Sequence, residues 1–492
     1  MAYVVHRETS GLERALALHR AGRLADAEGA YLAWLSTHPD DPDANFYLGG
    51  LRQQQGRTVE AVAHFQAVIA RDAARAEAWL NLGVALRKIG ELSGATDCLE
   101  QAIALDPASA VAHYNLGIVL QERKRPADAL ACLDAAIALR PGHAGTHCNR
   151  GAVLAALNRD RAAVESFERA LALEPQHAIA RHNLGLAQLR MGLFGEAWKN
   201  CEYRWKRPGA ADYRHAALPR WHGEEPLRGK RLLLWSEQGF GDTVQFCRYA
   251  PLLAARGAIV VLEVQEPLVS LLSGIEGVSQ CLAQGDILPR CDFEIPLMSV
   301  PMALATAVES IPARIPYLFA DPARVASLRD VVGPCSHPAR IGIACSGSPS
   351  HVNDANRSVP LAHFAPLFGR AQLYLLQKSV HARDAQILRE GAVRDLQSVL
   401  ADFGDTAAVI AHLDLVISVD TAVAHLAGAM GKPVWILLPF APDWRWGQDR
   451  RDSPWYPTAL LFRQRQAGDW PDVIERVAGE LEGRALLAEG SR

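Results

Sequence analysis

Apolar and polar positions follow two different rules along this chain, and the rule changes between Lys206 and Lys230 (KRPGAADYRHAALPRWHGEEPLRGK). Before that stretch the spacing is helical and repetitive. Alanine recurs every 34 residues at Ala27, Ala61, Ala95, Ala129, Ala163 and Ala197. Glycine recurs in the same phase at Gly49, Gly83, Gly117, Gly151 and Gly185, mostly preceded by Leu. A bulky residue stands four places after each Ala: Tyr31, Phe65, Leu99, Leu133, Phe167 and then Cys201. Pro39, Pro107, Pro141 and Pro175 close units, with Ala73 the one departure. Small residues let two helices approach, the bulky residue fills the gap, and proline ends the second helix. The pattern predicts six helix pairs over residues 11–205.

After Lys230 short β-branched runs alternate with helical patterns. Strands are expected at Arg231–Trp235, Ile259–Val264, Arg340–Ala344, Leu373–Leu376, Leu415–Val419 and Val434–Leu438. Helical runs are expected over Thr243–Ala255, Leu361–Phe368 and near Thr406–His412, and one opens at Asp420-Thr421 and stops at Gly431. Prolines and a short amphipathic helix between Pro312 and Pro338 mark a boundary. The alternation implies two facing parallel sheets with a cleft, in lobes of residues 231–335 and 336–492. Residues 206–230 read as a linker packed by Tyr213 and Trp221. The fold class is an all-α superhelix followed by an α/β fold of two Rossmann-like lobes.

Candidate chemistry gathers at strand ends. In LVISVDTAVAHLAGAMGKPVWILLP (residues 415–439) the polar atoms are those of Asp420, Thr421, the first-turn N–H groups around Ala422, and His425. The carboxyl end of a parallel strand binds ligands, and a helix N-terminus favours phosphate. Asp420 and a phosphate would repel, so Asp420 is expected to touch hydroxyls or shape the turn. In SEQGFGD, Gly239 and Gly241 permit close backbone approach, although GFG is not the GxGxxG fingerprint. Asp242 is open to a simple helix-capping role. His425 is open to a core role, and Trp444 and Trp446 to packing. His351, Asn353, Asp354 and Arg357 share a loop that solvation explains equally well. Asn81, Asn115, Asn149 and Asn183 recur in phase on the first helices, either as a ladder for peptide backbone or as polar groups facing water.

The N-terminal period resembles the tetratricopeptide repeat over about Gly11 to Trp205. Such a superhelix implies a groove for a peptide or protein. SEQGFGDTVQF and VISVDTAVAHLAGAMGKPVW are similar to two motifs of bacterial lipopolysaccharide heptosyltransferases, and their order matches a GT-B glycosyltransferase. The whole resembles bacterial fusions of tetratricopeptide repeats to a heptosyltransferase-like domain. That resemblance implies a nucleotide-diphosphate sugar in the C-terminal lobe, an acceptor facing it from the N-terminal lobe, and transfer without a bound metal or other cofactor. It makes Asp242 the general base. It gives Asp420, Thr421, Ala422 and His425 to the donor, with Ser346, Gly347 and Lys378 completing the pocket. The N-terminal lobe is shorter than in the lipopolysaccharide enzymes, which leaves the superhelix to supply an acceptor platform. The alternatives are an enzyme like protein O-linked N-acetylglucosamine transferase, or a non-catalytic repeat adaptor whose lobes have lost their chemistry. Against the former, DTAVAH stands where that family carries a glycine- and threonine-rich phosphate loop.

Composition narrows the classes. With 492 residues, 49% hydrophobic and 21% charged, the chain reads as globular and of about three domains. A net charge of −3 gives no case for nucleic acid or an anionic membrane. Nine scattered cysteines without a CxxC pair suggest reduced thiols and a cytoplasmic setting. No DxD pair in the two lobes, and no transmembrane run or signal peptide, is expected.

Overall fold

The computed structural model describes residues 11–349 and 353–489. The chain divides into two compact units with the boundary between Ala180 and Arg181. His351 lies outside the described residues.

The first unit is built from helix pairs: Gly11–Arg20 with Leu24–Thr37, Pro42–Gln54 with Thr58–Arg71, Ala76–Lys88 with Leu92–Leu105, Ala110–Glu122 with Pro126–Leu139, and Ala144–Ala156 with Asp160–Leu173. The repeated glycine works as a contact point. A Cβ at Gly49 would stand 2.8 Å from the Phe65 ring, one at Gly83 2.7 Å from Leu99, one at Gly117 2.8 Å from Leu133, and one at Gly151 2.6 Å from Phe167. Each of those bulky side chains is buried. The turn inside a pair also repeats its backbone. Gly22, Gly56 and Gly90 have φ of +73°, +76° and +85°, and Lys124 and Asn158 take the same left-handed conformation at φ of 61° and 57°. Glycine adopts that region at no steric cost, whereas Lys and Asn are held in it by the helices on either side.

The sixth pair, Ala178–Arg190 and Phe194–Cys201, keeps the period, with a Gly185 Cβ 2.9 Å from Cys201. Apart from its first turn, however, it belongs to the second unit. Leu189, Phe194, Ala197, Trp198 and Cys201 share one apolar core with Val244 and Phe246 of the first lobe and with Ala424, Trp444 and Trp455 of the second. Trp198 Nε1 donates to the Thr306 carbonyl at 2.8 Å, and Arg190 Nη1 to the Pro442 carbonyl at 3.4 Å. The compact boundary thus falls inside the first helix of this pair, whose aromatic face is buried against the lobes.

The second unit holds two parallel sheets. β1 (Arg231–Trp235), β2 (Ile259–Val264), β3 (Val278–Ala283) and β4 (Phe293–Pro296) stand in the order β3-β2-β1-β4. β5 (Arg340–Ala344), β6 (Gln372–Leu375), β7 (Arg394–Asp395), β8 (Leu415–Val419), β9 (Val434–Leu438) and β10 (Ala459–Arg463) stand in the order β10-β9-β8-β5-β6-β7. Every pairing is parallel. The chain reverses its direction of growth between β1 and β4 and between β5 and β8, and such switch points are where open α/β sheets bind ligands. Residues 206–230 are packed as expected: Tyr213 donates to Glu294 Oε1 at 2.8 Å, and Trp221 is 1% exposed.

Two elements depart in detail. The expected helix at Thr243–Ala255 begins earlier and is broken into Phe240–Phe246, a 3-10 turn Cys247–Tyr249 and Ala250–Ala255, with Pro251 unable to continue the first helix's ladder. Leu361–Leu367 is a 3-10 helix, with Pro366 inside it. Among the described residues no helix is long and apolar enough to cross a membrane, and no group of three or more His, Cys, Asp or Glu is placed to hold a metal ion.

Candidate active site

The carboxyl ends of β5 and β8 lie side by side, with Ala344 paired to Ser418. This register carries the loop with Ser346 and Gly347 and the turn at Asp420 and Thr421 out at the same end of the sheet. Helix Ala422–Ala429 starts from Thr421 without a side-chain cap, and Thr421 Oγ1 is instead held by Ser418 Oγ at 3.0 Å. Its first-turn N–H groups therefore keep their capacity to bind an anion. Arg357 reaches over this point and donates to the Asp420 carbonyl at 3.0 Å. A Cβ on Gly347 would stand 2.3 Å from that guanidinium, so the glycine is what lets Arg357 lie across the loop. Gln377, from the end of β6, orients the β5 end. Its Oε1 accepts from Cys345 N at 2.9 Å and Ser346 N at 3.1 Å, and its Nε2 donates to Ser346 Oγ at 2.8 Å.

The loop after β1 meets the same helix. A Cβ on Gly241 would stand 2.8 Å from His425 Cδ2 and 3.6 Å from Ala422 Cα, so the two glycosyltransferase-like motifs touch. His425 is 4% exposed, with Nδ1 2.9 Å from Tyr456 Oη and its ring stacked on Trp446 at 5.3 Å. Burial, reinforced by Arg445, Arg248 and Arg357, holds the imidazole pKa well below its usual value, and the ring is neutral. Burial, with the Asp443 carboxylate next in weight, raises Asp420 to about 6. Its Oδ1 lies 3.8 Å from His425 Nε2.

Arg445 ties the first motif to the segment that follows β9. It is buried and donates to Asp242 Oδ1 and to Gln245 Oε1 of the first lobe, and to Asp443 Oδ1 at 2.8 Å. Burial works against its charge, but Asp443 and Asp242 outweigh burial and raise its pKa further. Asp242 also caps its own helix, with Oδ2 accepting from Gly239 N at 3.0 Å. The capping role and a place at the lobe junction are thus both occupied by one carboxylate. Arg445 sits inside PFAPDWRW, where the aromatic residues drew attention in the sequence; a lone Arg among them carried no spacing signal.

Beside this junction Glu237 accepts from Arg204 Nη2 at 3.0 Å and from Met298 N at 3.3 Å, both on Oε1. Burial pushes its pKa up to about 7, with Arg204 opposing and Asp242 adding to the rise. Glu237 lines a cavity of about 370 Å³ together with Arg204, Trp205, Asp443, Trp444 and Arg445. The helix Ala178–Arg190 contributes His182, Leu186 and Leu189 to its wall.

Other expected residues lie elsewhere. Lys378 is exposed and its Nζ donates to the Ala401 carbonyl at 2.9 Å. Trp444 and Trp446 are buried in the core, and Trp444 packs edge-on to Trp198 at 5.5 Å. Asp354 is buried and accepts from Ser358 Oγ at 2.8 Å, so part of the loop that solvation would explain is structural. In the first unit Asn115 Nδ2 turns back to the Val111 carbonyl at 2.8 Å, and Asn149 Nδ2 donates to Tyr114 Oη at 3.2 Å. Asn115 lines a cavity of about 160 Å³ with Tyr114, Arg140 and His143. Asn81 is half-buried, and Asn183 lies in the second unit.

Comparison with known proteins finds likenesses for both parts of the chain. Models described as tetratricopeptide repeats match residues 12–74, 48–97, 85–124 and 109–176. A model described as glycosyltransferase family 9 (heptosyltransferase) matches residues 383–441. Protein FlbA of Caulobacter vibrioides is 28% identical over 320 residues, covering 60% of this chain and 53% of FlbA, so the chain spans about half the length of that curated relative. A crystal structure of MamA is 26% identical, covers 35% of this chain and 97% of MamA, and has a TM-score of 0.32. YrrB, described as a tetratricopeptide-repeat protein with an unusual peptide-binding site, is 23% identical, covers 35% of this chain and 89% of its own, and has a TM-score of 0.33. The 383–441 match takes in Asp420, Thr421, Ala422 and His425, and the chain is thus similar to tetratricopeptide repeats in its first part and to glycosyltransferase family 9 near its end.

Proposed function

We propose that the second unit transfers a sugar from a nucleotide-diphosphate donor to an acceptor hydroxyl, without a bound metal. The observation that carries this reading is the meeting of the two motifs, with Gly241 against His425 and Ala422, and Asp242 joined to Arg445. On this reading the donor diphosphate lies against the first-turn N–H groups at Thr421 and Ala422, with Arg357 and the Ser346-Gly347 loop beside it. Fixed dipoles and cations neutralise charge that develops on a leaving diphosphate, which is the task a metal performs elsewhere. His425, neutral and clamped by Tyr456 and Trp446, is a hydrogen-bonding partner rather than a charge for the donor. Asp420 takes sugar hydroxyls or shapes the turn, in keeping with its partly protonated state near pH 6. Lys378 would have to leave the Ala401 carbonyl to reach a phosphate.

The repeats recruit a protein or another large acceptor, with the cavity at Tyr114, Asn115 and His143 as one contact point. The test uses the full chain with ADP-, UDP-, GDP- and CMP-sugars in the presence of EDTA. At least one sugar nucleotide is expected to raise the melting temperature and to be turned over. Stabilisation that vanishes with chelator overturns metal independence, and no response to any of the four favours the adaptor reading.

A further inference from the structure

What His425 can offer a ligand turns on where one proton sits. A neutral imidazole carries a single N–H, and the hydrogen bond made by one ring nitrogen decides which nitrogen holds it. His425 Nδ1 lies 2.9 Å from Tyr456 Oη. Nε2 has no hydrogen-bond partner among the described residues; it lies 3.8 Å from Asp420 Oδ1 and 3.4 Å from where a Cβ on Gly241 would stand. It therefore faces the meeting point of the two motifs, while Nδ1 faces the interior.

Tyr456 settles the choice. It is fully buried, so its O–H must find an acceptor inside the protein. The neighbouring Tyr317 Oη is already engaged: it receives Arg248 Nη2 at 2.9 Å and gives its own proton to the Val244 carbonyl at 2.9 Å. Among the described residues that leaves His425 Nδ1 as the acceptor. The reverse bond, from Nδ1–H to Tyr456, would strand a buried phenolic proton, which folded proteins avoid.

Both lobes hold Tyr456 in place. Its ring lies against Gly428, on the helix that carries His425, where a Cβ would stand 2.5 Å from Tyr456 Cδ1. Arg248, from the turn Cys247–Tyr249 of the first lobe, donates Nη1 to the Trp455 carbonyl at 2.8 Å. Its Cζ stands over the Tyr456 ring at 4.7 Å, and its Nε is fixed by the Gln245 carbonyl at 2.8 Å. Arg248 is buried, and among the described residues no carboxylate pairs with it. Its charge falls on the rings instead. Burial raises the Tyr456 pKa and Arg248 opposes that rise, which makes the phenol a better donor. Trp446, stacked on the imidazole at 5.3 Å, holds the plane of the ring.

We propose that Tyr456, set in place by Arg248, donates to His425 Nδ1 and so fixes the tautomer whose N–H is on Nε2, aimed at an oxygen of the sugar nucleotide. Tyr456 and Arg248 are positioning residues, and His425 is the group that touches the ligand. The identity of that ligand rests on the second unit being a glycosyltransferase; the tautomer does not. The arrangement also ties donor binding to the first lobe, because Arg248 follows the SEQGFGDTVQF loop by two residues and reaches the second lobe through Trp455 and Tyr456.

Nitrogen NMR of the full chain, labelled in its histidine rings, reads the tautomer directly, with His425→Gln identifying the His425 signals. The wild type at neutral pH is expected to show a protonated Nε2 and a bare Nδ1. Tyr456→Phe keeps the ring against Gly428 but has no proton to give, and is expected to leave the two tautomers mixed. Arg248→Lys keeps the charge and loses the planar fork that holds Trp455 and Tyr317, and is expected to mix them to a smaller extent. A protonated Nδ1 in the wild type, or an unchanged His425 signal in Tyr456→Phe, overturns the assignment whatever the activity. Nucleotide release from ADP-, UDP-, GDP- and CMP-sugars supplies the second readout. Loss of one fixed hydrogen bond to the donor is expected to raise the donor KM of Tyr456→Phe about 10-fold. A mixed tautomer with an unchanged donor KM overturns the sugar nucleotide as the group that Nε2–H meets. No release from any donor by the wild type overturns the glycosyltransferase reading, and the spectrum still decides the tautomer.

Discussion

The two units solve the same problem, burying apolar surface, over very different spans of chain. In the first unit the decisive contacts are local and repeated. Gly49 meets Phe65, Gly83 meets Leu99, Gly117 meets Leu133 and Gly151 meets Phe167, each across 16 residues. In the second unit Asp242 reaches Arg445 across 203 residues, and Arg190 reaches Pro442 across 252. Local, repeated contacts share their load among neighbours, so no single one is indispensable. Long-range contacts made once concentrate it, and the candidate active site is assembled from contacts of the second kind.

That contrast can be broken most sharply at Trp198. It is 3% exposed, packs against Phe194 and Trp444, and donates to Thr306. Trp198→Ala is expected to cost about 3–5 kcal/mol, seen in calorimetry as a lower melting temperature for the second unit only. A drop shared equally by both units would show that the sixth helix pair belongs to the repeats after all. A smaller effect is expected within the first unit. Gly151→Val drives a side chain into Phe167 and should cost about 1–3 kcal/mol by overpacking, read in urea unfolding. Transfer of that loss to sugar-nucleotide binding by the second unit would contradict the local character claimed for the repeats.

The smallest effect should have the opposite sign. Lys124 holds a left-handed φ of 61° where earlier turns use glycine. Lys124→Gly is expected to stabilise the first unit by about 0.5–1 kcal/mol, because the strain removed exceeds the added freedom of the unfolded chain. Circular dichroism melting would check it, and a loss of stability would mean that the Lys side chain, not the backbone, matters at this turn.

Legibility followed the same divide. The repeat was readable because its spacing is a one-dimensional signal restated at each unit. β1, β2, β5, β8 and β9 were readable residue for residue, because buried parallel strands are nearly continuous apolar runs. Both candidate loops were readable from their glycines and strand-end positions, and each lies at a switch point of its sheet. The left-handed turns at Lys124 and Asn158 were hidden because only their backbones keep the period. Arg445, Gln377 and Glu237 were missed for a related reason. A single Arg, Gln or Glu has no period, and its meaning comes from partners supplied by distant elements.

By itself, then, the chain's pattern determined the elements, their order, and the two loops where polar groups face helix starts. Helical and strand periods are set by local backbone geometry, and they leave their mark in consecutive residues. Only the tertiary structure decided which unit owns the sixth helix pair, that Gly241 packs on His425, and that Asp242 is paired with Arg445 while Glu237 is paired with Arg204. Those outcomes depend on burial and on charges brought together from opposite ends of the second unit. Burial and electrostatic coupling act through space, so no stretch of sequence records them.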